Sequence, residues 1–152
     1  MAKFDMEQTM AVVAVQQLIN DWAYDLDFHD NANVGRVITD DVSYNVGGAL
    51  REGRAAVEAF YGSRRETLKA STGSRPVMRH VNTNFRTSFV SADEVSVTFS
   101  LVFWTTEVPG LNPTDVVAVA DVWMTCRRGT DGDWKIAKFD STQPLKRVGA
   151  GK

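Results

Sequence analysis

Val77-Met78-Arg79-His80-Val81-Asn82-Thr83-Asn84-Phe85 is where this chain changes its period. Before it, apolar residues recur every three or four positions; after it they fall into long strand-type blocks. Within the stretch, alternation sets His80, Asn82 and Asn84 on one face and Val81, Thr83 and Phe85 on the other. A strand divided this way usually turns its polar side to water. His80 therefore has two readings, a rim histidine or a base in a pocket.

Upstream, Val12, Val15, Leu18, Ile19, Trp22, Ala23 and Leu26 define an amphipathic helix. Asp27 follows at the edge of that stripe, about 100° from its centre, where it can turn into a pocket or out to water. Asp25 and Asp30 read as surface carboxylates, and His29 as exposed in a polar loop. Asp30, Asn31 and Asn33 break the helix, and Val34, Val37 and Ile38 predict one or two further helical turns. A short strand is expected over Val42 to Val46, a turn at Gly47-Gly48, and a return strand from Ala49 to Glu52. Gly53 to Lys69 carries Ala56, Val57, Phe60, Tyr61 and Leu68 at helical spacing, with a loop at 71–76.

Downstream, strands are predicted over Val77 to Val90, Glu94 to Val108, Thr114 to Arg128 and Trp134 to Gln143. Their short Gly-, Pro- and Asp-rich links imply an antiparallel meander. Helices first and a strongly curved antiparallel sheet after is an α+β arrangement. A single domain over 1–152 is expected, with residues 146–152 frayed.

Bulk composition narrows the function. The chain of 152 residues is 43% hydrophobic with a net charge of −2, so no basic surplus exists to hold a nucleic-acid backbone. The short pairs Arg64-Arg65 and Arg127-Arg128 read as solvated surface. One cysteine, Cys126, and two histidines leave no zinc- or iron-type ligand cluster, so neither metal nor cofactor is expected. No apolar run reaches membrane-spanning length, and Met1 to Glu7 is too polar for a signal peptide; a cytoplasmic protein is expected. Gly47-Gly48 is not a phosphate loop, and no Gly-x-Ser-x-Gly is present.

Aromatic residues are plentiful, with eight Phe and four Trp, enough for a core and for an apolar pocket wall. Asp121 is a carboxylate inside the apolar run Ala118-Val119-Ala120-Asp121-Val122-Trp123-Met124. It is either buried with a partner or faces outward on a half-exposed sheet.

The order of these segments resembles a known family. The motifs are Trp22-Ala23 with Asp27 and Asp30, Thr39-Asp40-Asp41-Val42-Ser43-Tyr44, Gly53-Arg54-Ala55-Ala56-Val57, Arg79-His80-Val81 with Thr83-Asn84, and Asp131-Gly132-Asp133-Trp134-Lys135-Ile136. From about Val12 to Gln143 the chain resembles the SnoaL-like branch of the NTF2-like superfamily, and within it is similar to scytalone dehydratase and hexachlorocyclohexane dehydrochlorinase. The resemblance implies a cone, with helices packed on a curved sheet around an apolar cavity. It also implies a homodimer or homotrimer, in keeping with an apolar convex sheet face that needs cover.

In those enzymes an Asp ending the first helix orients a His on a later strand; Asp27 and His80 stand at these positions, and Tyr44 matches a catalytic tyrosine. Other groups differ. Leu26 replaces a tyrosine, Trp104 a histidine, Trp22 a lysine and Phe139 an arginine. The implied activity is a cofactor-free lyase or isomerase acting on a small hydrophobic cyclic ligand. Asp27, His80 and Tyr44 are the expected catalytic groups, and Trp22, Phe60, Asn82, Trp104, Asp121, Trp123 and Phe139 the expected substrate contacts. The alternatives are a non-catalytic ligand-binding domain, or a cyclase or isomerase whose base is Asp27 or Asp121.

Overall fold

A computed structural model of the chain describes residues 3–72, 77–106 and 115–147. Expectations for the loop at 109–113, for Val108 and Thr114, for the tail from 148 onward and for 73–76 of the loop at 71–76 lie outside the described residues, and residues 71–72 of that loop belong to the preceding helix.

Helix α1 runs Met6–His29 and starts with a reciprocal cap. Gln8 N–H donates to the Asp5 carboxylate at 2.8 Å, and Asp5 N–H donates to the Gln8 side-chain carbonyl at 3.2 Å. Ala11, Val15, Leu18, Ile19, Trp22, Ala23 and Leu26 form its buried stripe, which matches the spacing except that Ala11 is buried in place of the half-buried Val12. Its end is built by residues in the left-handed region: Asp30 at φ 53° and Asn31 at φ 54°. Asp25 is buried rather than exposed. Its carboxylate accepts the Asn33 backbone N–H at 2.9 Å and the Asn33 side-chain amide at 2.8 Å, which ties down the turn after the helix.

The expected helical turns after that are cut short. A 3₁₀ turn spans Val34–Arg36, and strand β1 already begins at Ile38, running Ile38–Val46. Tertiary pairing overrides the local pattern here: Ile136 N–H donates to the Val37 carbonyl at 2.8 Å, and Ile38 is in register with Ile136. Then come β2 at Ala49–Glu52, helix α2 at Arg54–Thr72, β3 at Val77–Phe89, β4 at Glu94–Thr106, β5 at Ala118–Arg128 and β6 at Trp134–Lys146. The helices pack on one six-stranded sheet of order β2-β1-β6-β5-β4-β3.

That sheet is mixed, not wholly antiparallel. β1 lies parallel to β6, while every other pair is antiparallel. Short links report only on neighbours in sequence; the β1–β6 pairing closes over the whole intervening chain, which is long enough for a parallel connection. Bulges interrupt β1–β6, β3–β4 and β5–β6 and curl the sheet. At the β3 bulge, Asn84 adopts φ 58° and absorbs one residue of the alternation. His80 and Asn82 thus share the inner face with Phe85, which packs on the core, while Val81 points out, 49% exposed.

The core joins Val15, Ile19 and Trp22 of α1 to Val57 of α2 and to Tyr44, Val97, Met124 and Ile136 of the sheet. Cys126 belongs to it. Burial pushes its thiol up to about 12, so it is an unionised, packed side chain.

Candidate active site

Asp27 is buried because the final turn of α1 lies against β3. Its carboxylate holds His80 at two points. The His80 backbone N–H donates to Oδ2 at 2.8 Å, and ring Nδ1 lies 2.5 Å from Oδ1. The ring also stacks on Phe103, centroids 4.5 Å apart and planes 22° from parallel. Both restraints fix the imidazole plane. With the carboxylate ionised, Nδ1 carries the shared proton and Nε2 keeps the lone pair.

The His80 ring borders a cavity of about 180 Å³. Its wall is mainly apolar, with Trp22 and Leu26 from α1, Phe60 from α2, Leu101 and Phe103 from β4, and Ala118, Ala120 and Val122 from β5. Phe139 closes it from β6. The polar groups on the wall besides His80 are Tyr61, Arg64, Ser141 and Gln143.

A row of hydroxyls supports one side. Trp22 Nε1–H donates to the Tyr44 hydroxyl at 3.1 Å, and the Tyr44 and Tyr61 hydroxyls are 2.7 Å apart. Tyr44 is fully buried and also stacks on Phe139, so it stands behind the wall while Tyr61 borders the cavity. Burial above all, then the neighbouring Tyr61, holds the Tyr44 hydroxyl well above the usual phenol range. Burial likewise raises Tyr61. Both remain protonated at neutral pH and act as hydrogen-bonding groups, not as phenolates.

Among the expected substrate contacts, Trp22, Phe60 and Phe139 line the cavity. Asn82 shares His80's strand face but lies beyond the lining, with its Oδ1 buried and without a hydrogen bond among the described residues. Trp104, Asp121 and Trp123 are on the other side of the sheet. Register pairs His80 with Phe103 and Arg79 with Trp104, so Phe103 faces the cavity and Trp104 faces away. In β5 the inward residues are Ala120 and Val122, which turns Asp121 and Trp123 outward, Trp123 at 45% exposure. The aromatic supply, the family resemblance and a carboxylate inside an apolar run suggest these three as pocket contacts; strand parity turns them away from it.

Sequence reasoning passed over Tyr61, Arg64, Leu101 and Phe103. The signal for Arg64 was present, since Phe60, Tyr61 and Arg64 fall on one helical face. Its pairing with Arg65 suggested solvent instead. Among the described residues no cluster of three or more His, Cys, Asp or Glu could hold a metal ion. No helix among them is long and apolar enough to cross a membrane.

Residues 7–140 match the family described as SnoaL-like domain. No curated protein matches the chain. Among solved structures it is similar to ActVI-ORFA of Streptomyces coelicolor, at 18% identity and TM-score 0.77, covering 90% of this chain and 96% of that one. It is similar to the hexachlorocyclohexane dehydrochlorinase LinA-type3 of Novosphingobium barchaimii, at 21% identity and TM-score 0.75, covering 98% and 97%. It is also similar to a protein of Novosphingobium aromaticivorans provisionally named a scytalone dehydratase, at 17% identity and TM-score 0.74, covering 91% and 87%. At these identities the likeness is one of fold.

Proposed function

The chain belongs to the SnoaL-like domain family, and from that premise we propose that it is a cofactor-free lyase or isomerase in which His80 removes a proton from carbon. The observation that carries this reading is the two-point hold of Asp27 on His80, with the ring bordering a largely apolar cavity. Nε2 takes the proton of a ring C–H, and Asp27 stabilises the imidazolium that forms. The electron pair left on carbon either moves into a conjugated carbonyl, giving an enolate, or expels a hydroxyl on the neighbouring carbon. In the second case His80 returns its proton to the departing hydroxyl and water leaves. The overall reaction needs no oxidant and no co-substrate.

Tyr44 serves this chemistry through Tyr61. Trp22 can only donate, so it occupies a lone pair of the Tyr44 oxygen. When Tyr44 then donates to Tyr61, the Tyr61 proton turns towards the cavity and can meet a substrate oxygen. A base in reach of the carbon contributes about 10²–10⁴-fold, and positioning in a dry pocket supplies the rest. The reading in which Asp121 is the base has no support from its outward position on the sheet.

A nitrobenzisoxazole tests the base without knowledge of the natural substrate. Removal of its ring C–H breaks the N–O bond and releases a coloured phenolate. Wild type should accelerate the opening, and His80→Ala should lose about a hundredfold or more of that rate. Equal rates in the two proteins would sink the proposal and leave a ligand-binding domain.

A further inference from the structure

Arg64 carries a charge that no carboxylate among the described residues meets. Three other arginines do meet carboxylates, Arg54 with Asp40 at 2.8 Å, Arg127 with Asp41 at 2.6 Å and Arg128 with Asp93 at 2.7 Å, while Arg51, Arg65 and Arg79 donate to backbone carbonyls. Among the described residues, Arg64 Nη2 donates to the Met78 sulfur at 3.3 Å, a weak acceptor. Its Nη1 is buried and has no hydrogen-bond partner among the described residues. The side chain as a whole is half-buried. It lies on the cavity wall, one helical turn from Phe60 and Tyr61.

A guanidinium nitrogen withdrawn from water and left unpaired is costly, and a ligand oxygen that fills the cavity repairs it. The anchor at Met78 fixes where that oxygen goes. Met78 and His80 are two residues apart on the same face of β3, roughly 6–7 Å along the strand. A ligand oxygen held at Arg64 therefore shares with His80 the wall of the same cavity, on the β3 side.

We infer that Arg64 is the recognition point for an anionic oxygen, and that the substrate is a ring compound carrying a carboxylate or an acidic phenol rather than a neutral ring. The planar fork of the side chain suits two oxygens of a carboxylate. Tyr61, on the same helical face, adds a neutral donor beside it. This rests on the proposal above that substrate occupies the His80 cavity, and it makes the small hydrophobic ring compound implied by the family resemblance an amphiphilic one.

Binding separates the two ideas because it needs no turnover. Naphthoate and naphthamide are nearly the same size and differ in charge, and each can be titrated against the full chain by tryptophan fluorescence. Wild type should bind naphthoate about tenfold or more tightly than naphthamide at neutral pH. Arg64→Met should bring the ratio to about one while leaving naphthamide affinity in place, and Arg64→Lys should fall between. His80→Ala should keep the wild-type ratio. A wild-type ratio of one or less, no measurable naphthoate binding, or a preference that survives Arg64→Met overturns the inference. The wild-type comparison requires no variant to fold. Charge preference without nitrobenzisoxazole opening removes the base and keeps the anion site; opening that depends on His80 without charge preference does the reverse.

Discussion

One Asp27 carboxylate binds both the backbone and the ring of His80, with Oδ2 taking the backbone N–H at 2.8 Å and Oδ1 lying 2.5 Å from Nδ1. The strand and the imidazole are thus referenced to the same buried group at the end of α1. A shift of the helix end would move the ring and its strand together, which keeps the imidazole in register with the cavity wall.

Asp27→Asn tests that arrangement. The carboxamide has one oxygen for two N–H groups, so either the backbone or the ring must face an NH₂ donor. If the ring is the loser, its tautomer inverts and Nε2 carries the proton. The expected result is a kcat loss of about a hundredfold or more on nitrobenzisoxazole, with binding of naphthamide retained. Thermal denaturation should show a loss of about 1–3 kcal/mol from the charge-assisted bonds. Unchanged kcat would mean that the carboxylate is only a structural tie.

Tyr44→Phe and Tyr61→Phe should separate support from contact. Removing the Tyr44 hydroxyl leaves the buried Trp22 N–H without an acceptor, costing about 1–3 kcal/mol. Removing the Tyr61 hydroxyl leaves the Trp22–Tyr44 bond intact and takes a donor from the cavity wall. The first variant should lose more stability than activity; the second should lose more activity than stability. Chemical denaturation and steady-state rates on the same preparations give both quantities.

The tyrosine pair also predicts an alkaline limit. Tyr44 and Tyr61 have folded pKa values raised above their ordinary value of 10, mainly by burial. Above pH 10 the unfolded chain releases these protons first, so it binds fewer protons than the native state and stability falls as pH rises. Below that range their contribution is fully present. Cys126, raised from 9.0 to about 12, acts with the same sign from a lower pH. Melting temperature should therefore not decline on account of these groups from neutral pH to about pH 8, should fall modestly through pH 9 as the unfolded thiol ionises, and should drop steeply above pH 10. In Tyr61→Phe the slope above pH 10 should be shallower; an identical slope would refute the assignment.

Much of this architecture is legible in the chain, and the rest fails for definite reasons. Apolar spacing marks α1 well, because Val15, Ile19, Trp22 and Leu26 fall on one face and no β-type pattern competes. The segment order suggests the family, and the described strands agree with it at most boundaries. The β1–β6 pairing is invisible, since it depends on a contact between Ile38 and Ile136 that no local pattern encodes. Asn84 hides its bulge, because an Asn at φ 58° looks in sequence like any other strand polar residue. Arg64 is misread because long cations are nearly always solvated, and only the folded helix face shows it on the cavity.

Parity in β4 supplies the last prediction. Phe103 and Trp104 are adjacent, but Phe103 stacks on His80 inside the cavity while Trp104 occupies the other face beside Arg79. Phe103→Ala removes the ring that holds the imidazole plane and opens space in the wall. It should cost about 2–4 kcal/mol and also depress kcat, because the His80 ring gains freedom about its Cα–Cβ and Cβ–Cγ bonds. Phe103→Leu should restore much of the stability and little of the rate, since a branched aliphatic fills volume without offering a flat face. Trp104→Ala should leave kcat within about twofold of wild type, although it loses outer-face packing. If Trp104→Ala proves the more damaging to kcat at matched folded fraction, the inward face of β4 has been assigned the wrong way round, and the cavity wall with it.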